Sequence, residues 1–193
     1  LPTWRTDARP LQRLGTKLYE EAYRRGVAGN AARSGAIVAA VARHYLAGEK
    51  VLLLADLRAH GADLDRLADA AGLGRRWFLT GEDVGRTEAL GRFRVLPPPA
   101  LLVATPWFRE GMDVPEVDVG FLAGASMSEV AVMQACGRML RPRPDKATVL
   151  IYDCLDGRDP AARKDYLAGH TLARLAAYRA RGWAVERQPV GGW

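Results

Sequence analysis

The chain has 193 residues, enough for one well-buried domain and short for two, and its apolar fraction of 49% is ordinary for a globular protein. No apolar run approaches the roughly 20 residues needed to span a bilayer, so no membrane partner is expected. The formal net charge of +6 is carried mostly by arginine, lysine occurring only at Lys17, Lys50, Lys146 and Lys164; such a surface suits nucleic acid, and a GC-rich coding sequence gives the same bias.

In chain order, Leu1-Pro2-Thr3-Trp4-Arg5 shows neither an initiator Met nor a signal-peptide pattern, as expected of a fragment or a processed chain. Leu11 to Gly26 reads as a helix, with Leu14, Leu18, Ala22 and Tyr23 at helical spacing. Asn30 is placed to cap a second helix over Ala31 to Leu46. Val51 to Ala55 is an unbroken apolar strand, the pattern of a central parallel strand covered on both faces. His60 to Ala71 is a helix, Arg76 to Leu79 a short strand and Val84 to Phe93 a short helix, followed by a stiff Pro97-Pro98-Pro99 connector. Ala100 to Ala104 and Asp118 to Leu122 are further strands, and a helix over Ser126 to Met139 opens on a Ser126/Glu129 capping box. Thr148 to Tyr152 is the next strand, Ala161 to Arg181 a final helix, and Trp183 to Val185 an added edge strand. Strands alternating with helices at this spacing predict an α/β fold with a mostly parallel sheet, whose ligands sit at the carboxyl ends of the strands. The whole chain, 1–193, reads as a single domain with a core over about 30–155 and a C-terminal helix over about 161–181.

Two cysteines and three histidines, none at ligand spacing, predict neither a disulfide framework nor a metal site. Cys136 and Cys154 fit reduced, buried thiols of a cytoplasmic protein.

The segment with most chemistry in it is Gln134-Ala135-Cys136-Gly137-Arg138-Met139-Leu140-Arg141. At helical spacing Gln134, Arg138 and Arg141 share one face. Two guanidiniums beside a carboxamide suit a phosphate-rich ligand, because each offers a permanent charge and a planar fork of donors. Gly137 inside a helix costs about 1 kcal/mol relative to Ala, which predicts close approach by another group. A second segment, Ala104-Thr105-Pro106-Trp107-Phe108-Arg109-Glu110-Gly111-Met112-Asp113-Val114-Pro115, follows a buried strand directly. There Thr105 can offer a hydroxyl and a backbone N–H to a phosphate, and Gly111 permits close backbone approach. Asp113 can accept from a ribose hydroxyl or orient an arginine.

The first segment resembles motif VI, and the second motif V (A-T-x-x-x-x-E-G-x-D-x-P), of superfamily 2 helicases. Weaker matches keep the same order: Val51 to Leu54 with Asp56 to Gly61 resembles motif IV and its loop, and Phe78 to Glu82 the strand-loop element after it. Asn30-Ala31-Ala32-Arg33 resembles the lead-in to this lobe. His170, Arg174, Tyr178 and Gly182 resemble the ending of the branch containing phage and DNA-repair helicases, where packing roles are expected of them.

The resemblance covers about residues 11–187 and concerns one lobe, the C-terminal RecA-like three-layer sandwich. It implies an ATP site shared with an N-terminal lobe, with Gly111, Asp113, Gln134, Arg138 and Arg141 facing ATP. Arg138 and Arg141, with Gln134 beside them, would be the catalytic groups. Thr105, Arg58, His60 and Gly81 would face a single-stranded or branched nucleic acid, DNA more than RNA on the family likeness alone. The Walker A loop and the carboxylates that hold Mg²⁺ do not occur in this sequence, so ATP with Mg²⁺ would be held by the N-terminal lobe and the isolated chain is expected to be inactive.

Two other readings stay open. One is a non-catalytic nucleic-acid-binding module; the other is the motor lobe of a restriction or nuclease subunit. A Rossmann-like small-molecule enzyme is disfavoured, because no G-x-G-x-x-G follows the first strand.

Overall fold

The computed structural model describes residues 17–105, 114–125, 129–141, 148–156 and 166–188. Helix α1, Lys17–Tyr23, runs into a widened turn over Arg24–Ala28, where Gly29 N–H reaches back five residues to Arg24 O at 2.7 Å. Then follow α2 Ala31–Leu46, β1 Lys50–Leu54, α3 Arg58–Ala70, β2 Arg76–Leu79, α4 Arg86–Val95 and β3 Ala100–Ala104. The order ends with β4 Val119–Leu122, α5 Glu129–Met139, β5 Leu150–Asp153 and α6 Tyr166–Ala180.

The five strands form one parallel sheet in the order β2-β3-β1-β4-β5. Its registers align the carboxyl ends: Leu54 sits opposite Ala104 and Leu122, Leu79 opposite Ala104, and Leu122 opposite Asp153. The three central strands are buried on both faces, which is why their sequences are continuously apolar. Alternate residues serve opposite layers. Val51, Leu53, Leu101, Val103 and Phe121 pack with Ile37, Val41, Leu64 and Ala68 of α2 and α3. Leu52, Leu54, Leu102 and Leu122 pack with Phe93, Val132, Cys136, Met139 and Tyr178 of α4, α5 and α6. The expected three-layer α/β sandwich is what forms.

Local signals fix the element ends. Asn30 caps α2 as expected, its side-chain oxygen accepting from Arg33 N–H at 3.0 Å. His44 near the end of α2 bonds Glu49 at 2.5 Å and the Tyr152 hydroxyl at 3.0 Å, tying that helix to β1 and β5. Lys50 is buried, and its ammonium donates to the carbonyls of Phe93 and Arg94 at 3.0 and 2.8 Å, the cation-at-carbonyl arrangement that suits a helix C-terminus.

Several boundaries differ from expectation. The α3 helix begins at Arg58, with Leu57 as an N-cap that supplies no side-chain bond, so His60 lies inside the first turn. Trp183 to Val185 adds no strand; Trp183 stacks on Tyr178 at 5.7 Å, and aromatic burial replaces ladder pairing there. Residues 11–16 of the first helix, the Ser126 capping box and residues 161–165 of the last helix lie outside the described residues.

The connection leaving β1 goes to α3 in one helical layer, and the one leaving β4 goes to α5 in the other. These strands are neighbours, so their carboxyl ends form a topological switch point, where sheets of this kind take ligands. Among the described residues no helix is long and apolar enough to cross a membrane. Nor do three or more His, Cys, Asp or Glu side chains among them gather as metal ligands.

Candidate functional site

The arginine segment lies on α5 and the two residues after it. Ala131, Val132, Met133, Ala135, Cys136 and Met139 face the core. The Met139 sulfur fills the space over Gly120 of β4 that a Cβ would take. The opposite side of α5 carries Gln134, exposed, and Arg138, half-buried. The helix ends at Met139, so Arg141 follows a turn at Leu140 instead of continuing the helical face, and it too is exposed. Gly137 lies between Gln134 and Arg138, and a Cβ built on it meets nothing within 4 Å. The close approach expected there is not made by any of the described residues.

The sheet edge brings a second set together. Arg58 opens α3 after β1, Thr105 follows β3, and Gly81 follows β2, all at the aligned carboxyl ends. Arg58 Nη1 donates to Glu82 Oε2 at 2.7 Å, joining the loops after β1 and β2 across the end of β3. Thr105 is buried, and its N–H is spent on Leu79 O at 3.2 Å, so the backbone donor expected for a phosphate is already used. His60 does not face outward with this set. It is 0% exposed, both ring nitrogens lack a partner, and burial, with Arg33 nearby, lowers its pKa to about 4. Gly111 and Asp113 lie outside the described residues.

Beneath this edge is a buried polar cluster that the sequence reading named only in part. At the switch point the Asp56 carboxylate after β1 lies against Gly124 after β4, where any Cβ would overlap it. The crevice is thus filled from within. Arg33 of α2, 0% exposed, donates to Ala123 O at 2.5 Å and to Asp156 at 3.3 Å, past the end of β5. Burial opposes the Arg33 charge, and Cys154 and Asp156 outweigh it; burial also pushes the Asp156 carboxyl up.

Arg174 of α6 forms the second half. It donates to both Asp153 oxygens at 2.7 and 3.1 Å, to Cys154 O at 3.1 Å and to Ala125 O at 3.3 Å. Tyr178 donates to Asp153 at 2.8 Å, and His170 Nδ1 lies 3.1 Å from Ala125 O. The packing role expected of His170, Arg174 and Tyr178 is the one they take. Arg33 was legible only as part of the Asn30 lead-in; Asp56, Asp153 and Asp156 carried one available signal, carboxylates at or just past the ends of apolar runs.

No protein-family model matches this chain, and no curated protein matches it. Solved structures do. T4 UvsW is 18% identical, with a TM-score of 0.69 over 90% of this chain and 36% of that chain. The E. coli DEAD-box protein SrmB, solved bound to the regulator of ribonuclease activity A, is 21% identical with a TM-score of 0.51, over 63% of this chain and 69% of that one. S. cerevisiae Dbp5, solved bound to RNA and ADP BeF3, is 12% identical with a TM-score of 0.57, over 76% and 36%. The chain thus spans about a third of UvsW. What these likenesses show is the fold, a RecA-like α/β lobe.

Proposed function

We propose that this chain is the C-terminal motor lobe of an ATP-dependent nucleic-acid helicase or translocase, working against an N-terminal lobe that holds ATP and Mg²⁺. The observation that carries this reading is the outward side of α5. Gln134 and Arg138 stand on one side of a helix whose other side is core, with an open Gly137 between them and Arg141 just beyond. That donor set fits a polyphosphate presented by a second body. Bound ATP would supply the phosphoryl group, and Mg²⁺ would shield its charge.

The residues of this chain would act by charge and position. Arg138 and Arg141 would stabilise negative charge developing on the transferred phosphoryl group, and Gln134 would orient that group or the arginines. Gly111 and Asp113 would line the ribose side. At the sheet edge Arg58, Thr105 through its side chain, and the Gly81 loop would hold one strand by its phosphates. His60 would support that edge from beneath. Closure of the two lobes on ATP and opening after hydrolysis would move the grip along the strand. Phosphate contact implies little sequence preference and strong salt dependence.

ATP hydrolysis by this chain alone, with and without single-stranded DNA, is the first experiment. No turnover is expected. DNA-stimulated turnover by the pure chain would require a complete site within it and would overturn the half-site reading. Turnover absent even when the chain is joined to its N-terminal region would favour the non-catalytic binding module.

A further inference from the structure

The Arg58–Glu82 pair has a consequence for strand binding, and it rests on the reading of this sheet edge as a nucleic-acid interface. We propose that Glu82 sets the affinity of the lobe for a single strand by occupying the Arg58 guanidinium, the group that a backbone phosphate would otherwise take. Both side chains are open to solvent, 66% and 80% exposed, so a phosphate oxygen can reach the place where the carboxylate now sits. Carboxylate and phosphate oxygens recognise a guanidinium through the same donors, so they exclude one another there.

Glu82 is presented by a pinned loop. Thr80 N–H donates to the Asp83 carboxylate, Asp83 N–H returns to Thr80 O at 3.3 Å, and Arg86 donates to Gly81 O. The backbone on both sides of Glu82 is therefore tied down. Its partner opens α3, whose first turn has no side-chain cap and whose dipole favours any anion placed near it. The carboxylate acts as a built-in competitor. Exposed ion pairs are weak, so a phosphate can displace it, and the displacement lowers net affinity without abolishing binding.

The test measures binding of the full chain to fluorescein-labelled oligothymidylate, and in parallel oligouridylate, by fluorescence anisotropy over a salt series. Glu82→Gln is expected to bind about two- to five-fold more tightly, the span that an exposed pair of this kind allows. Its log–log salt slope should steepen by about 0.7, one added phosphate contact on a single strand. Glu88→Gln is the control. It removes the same charge from an exposed pair with Arg92 on α4 and should give a smaller gain. In an Arg58→Ala background, Glu82→Gln should add no more than Glu88→Gln does. A gain equal to the control's, or one that survives loss of Arg58, overturns the role of Glu82 alone. Absence of salt-dependent binding by the wild-type chain overturns the interface reading and this proposal together.

Discussion

Two groups of arginines share this fold and differ in almost every physical respect. Arg33 and Arg174 are buried, and each donates to carboxylates and carbonyls of the chain, Arg33 with Nη2 left over. Arg58 and Arg141 lie on the surface and Arg138 half-way out, at places where another molecule can approach. The first group holds strand ends in place; the second stands where the proposed function needs guanidiniums to meet external phosphate. Residue type alone carries neither role. Position relative to the sheet assigns it, through what the surrounding dielectric and partners leave for the charge to do.

The sharpest way to test this division is to remove one arginine from each side. Arg174→Ala leaves the Asp153 carboxylate without its buried partner and should lower unfolding free energy by about 3–5 kcal/mol, read from urea or thermal denaturation. A loss below about 1 kcal/mol would move Arg174 into the surface group. Arg138→Ala should do the reverse. In a protein containing both lobes, ATP turnover should fall on the order of 10³-fold, while unfolding shifts less than in Arg174→Ala. Wild-type turnover in that variant would remove Arg138 from the catalytic groups.

Acid probes the buried side through His60. Its pKa is lowered in the folded chain to about 4, below the ordinary 6.5, so between those values the unfolded chain binds the extra proton. Stability from this group is therefore complete above about pH 6.5 and is lost as pH falls to about 4. The loss is on the order of 3 kcal/mol. In His60→Leu that portion of the pH dependence should vanish; an unchanged pH profile would show that the imidazole is not held neutral in the fold.

The smallest effect is expected at the edge. Arg58→Ala should change folding stability by about 0.5 kcal/mol or less, while weakening binding to single-stranded nucleic acid. A large folding defect would mean that its bond to Glu82 is structural.

Much of the fold was legible because continuous apolarity in Leu101 to Ala104 or Val51 to Leu54 has few readings other than a covered parallel strand. The Asn30 cap was legible for a similar reason, a short-range bond with a fixed sequence signature. The buried pairs were harder. Arg33 and Asp156 are 123 residues apart, and nothing local in either marks the other. His60 misled because a histidine beside Arg58 and Gly61 at an expected helix start reads as exposed, whereas α3 begins two residues earlier and carries it inward. Trp183 to Val185 has strand-like composition, yet the nearest favourable surface was the ring of Tyr178. For the candidate site, the sequence placed the end of α5 at Met139, where the structure has it, but still gave Arg141 the face of Gln134 and Arg138, which the turn at Leu140 interrupts.

The filled crevice between β1 and β4 has a mechanical consequence. Asp56 wedged against Gly124, Arg33 bolting α2 to the ends of β4 and β5, and Arg174 bolting α6 to the same region make those elements one stiff block. Bending within that block would strand charges in the interior. In the motor proposed above, bending would therefore fall outside this block, and the block would move as a unit.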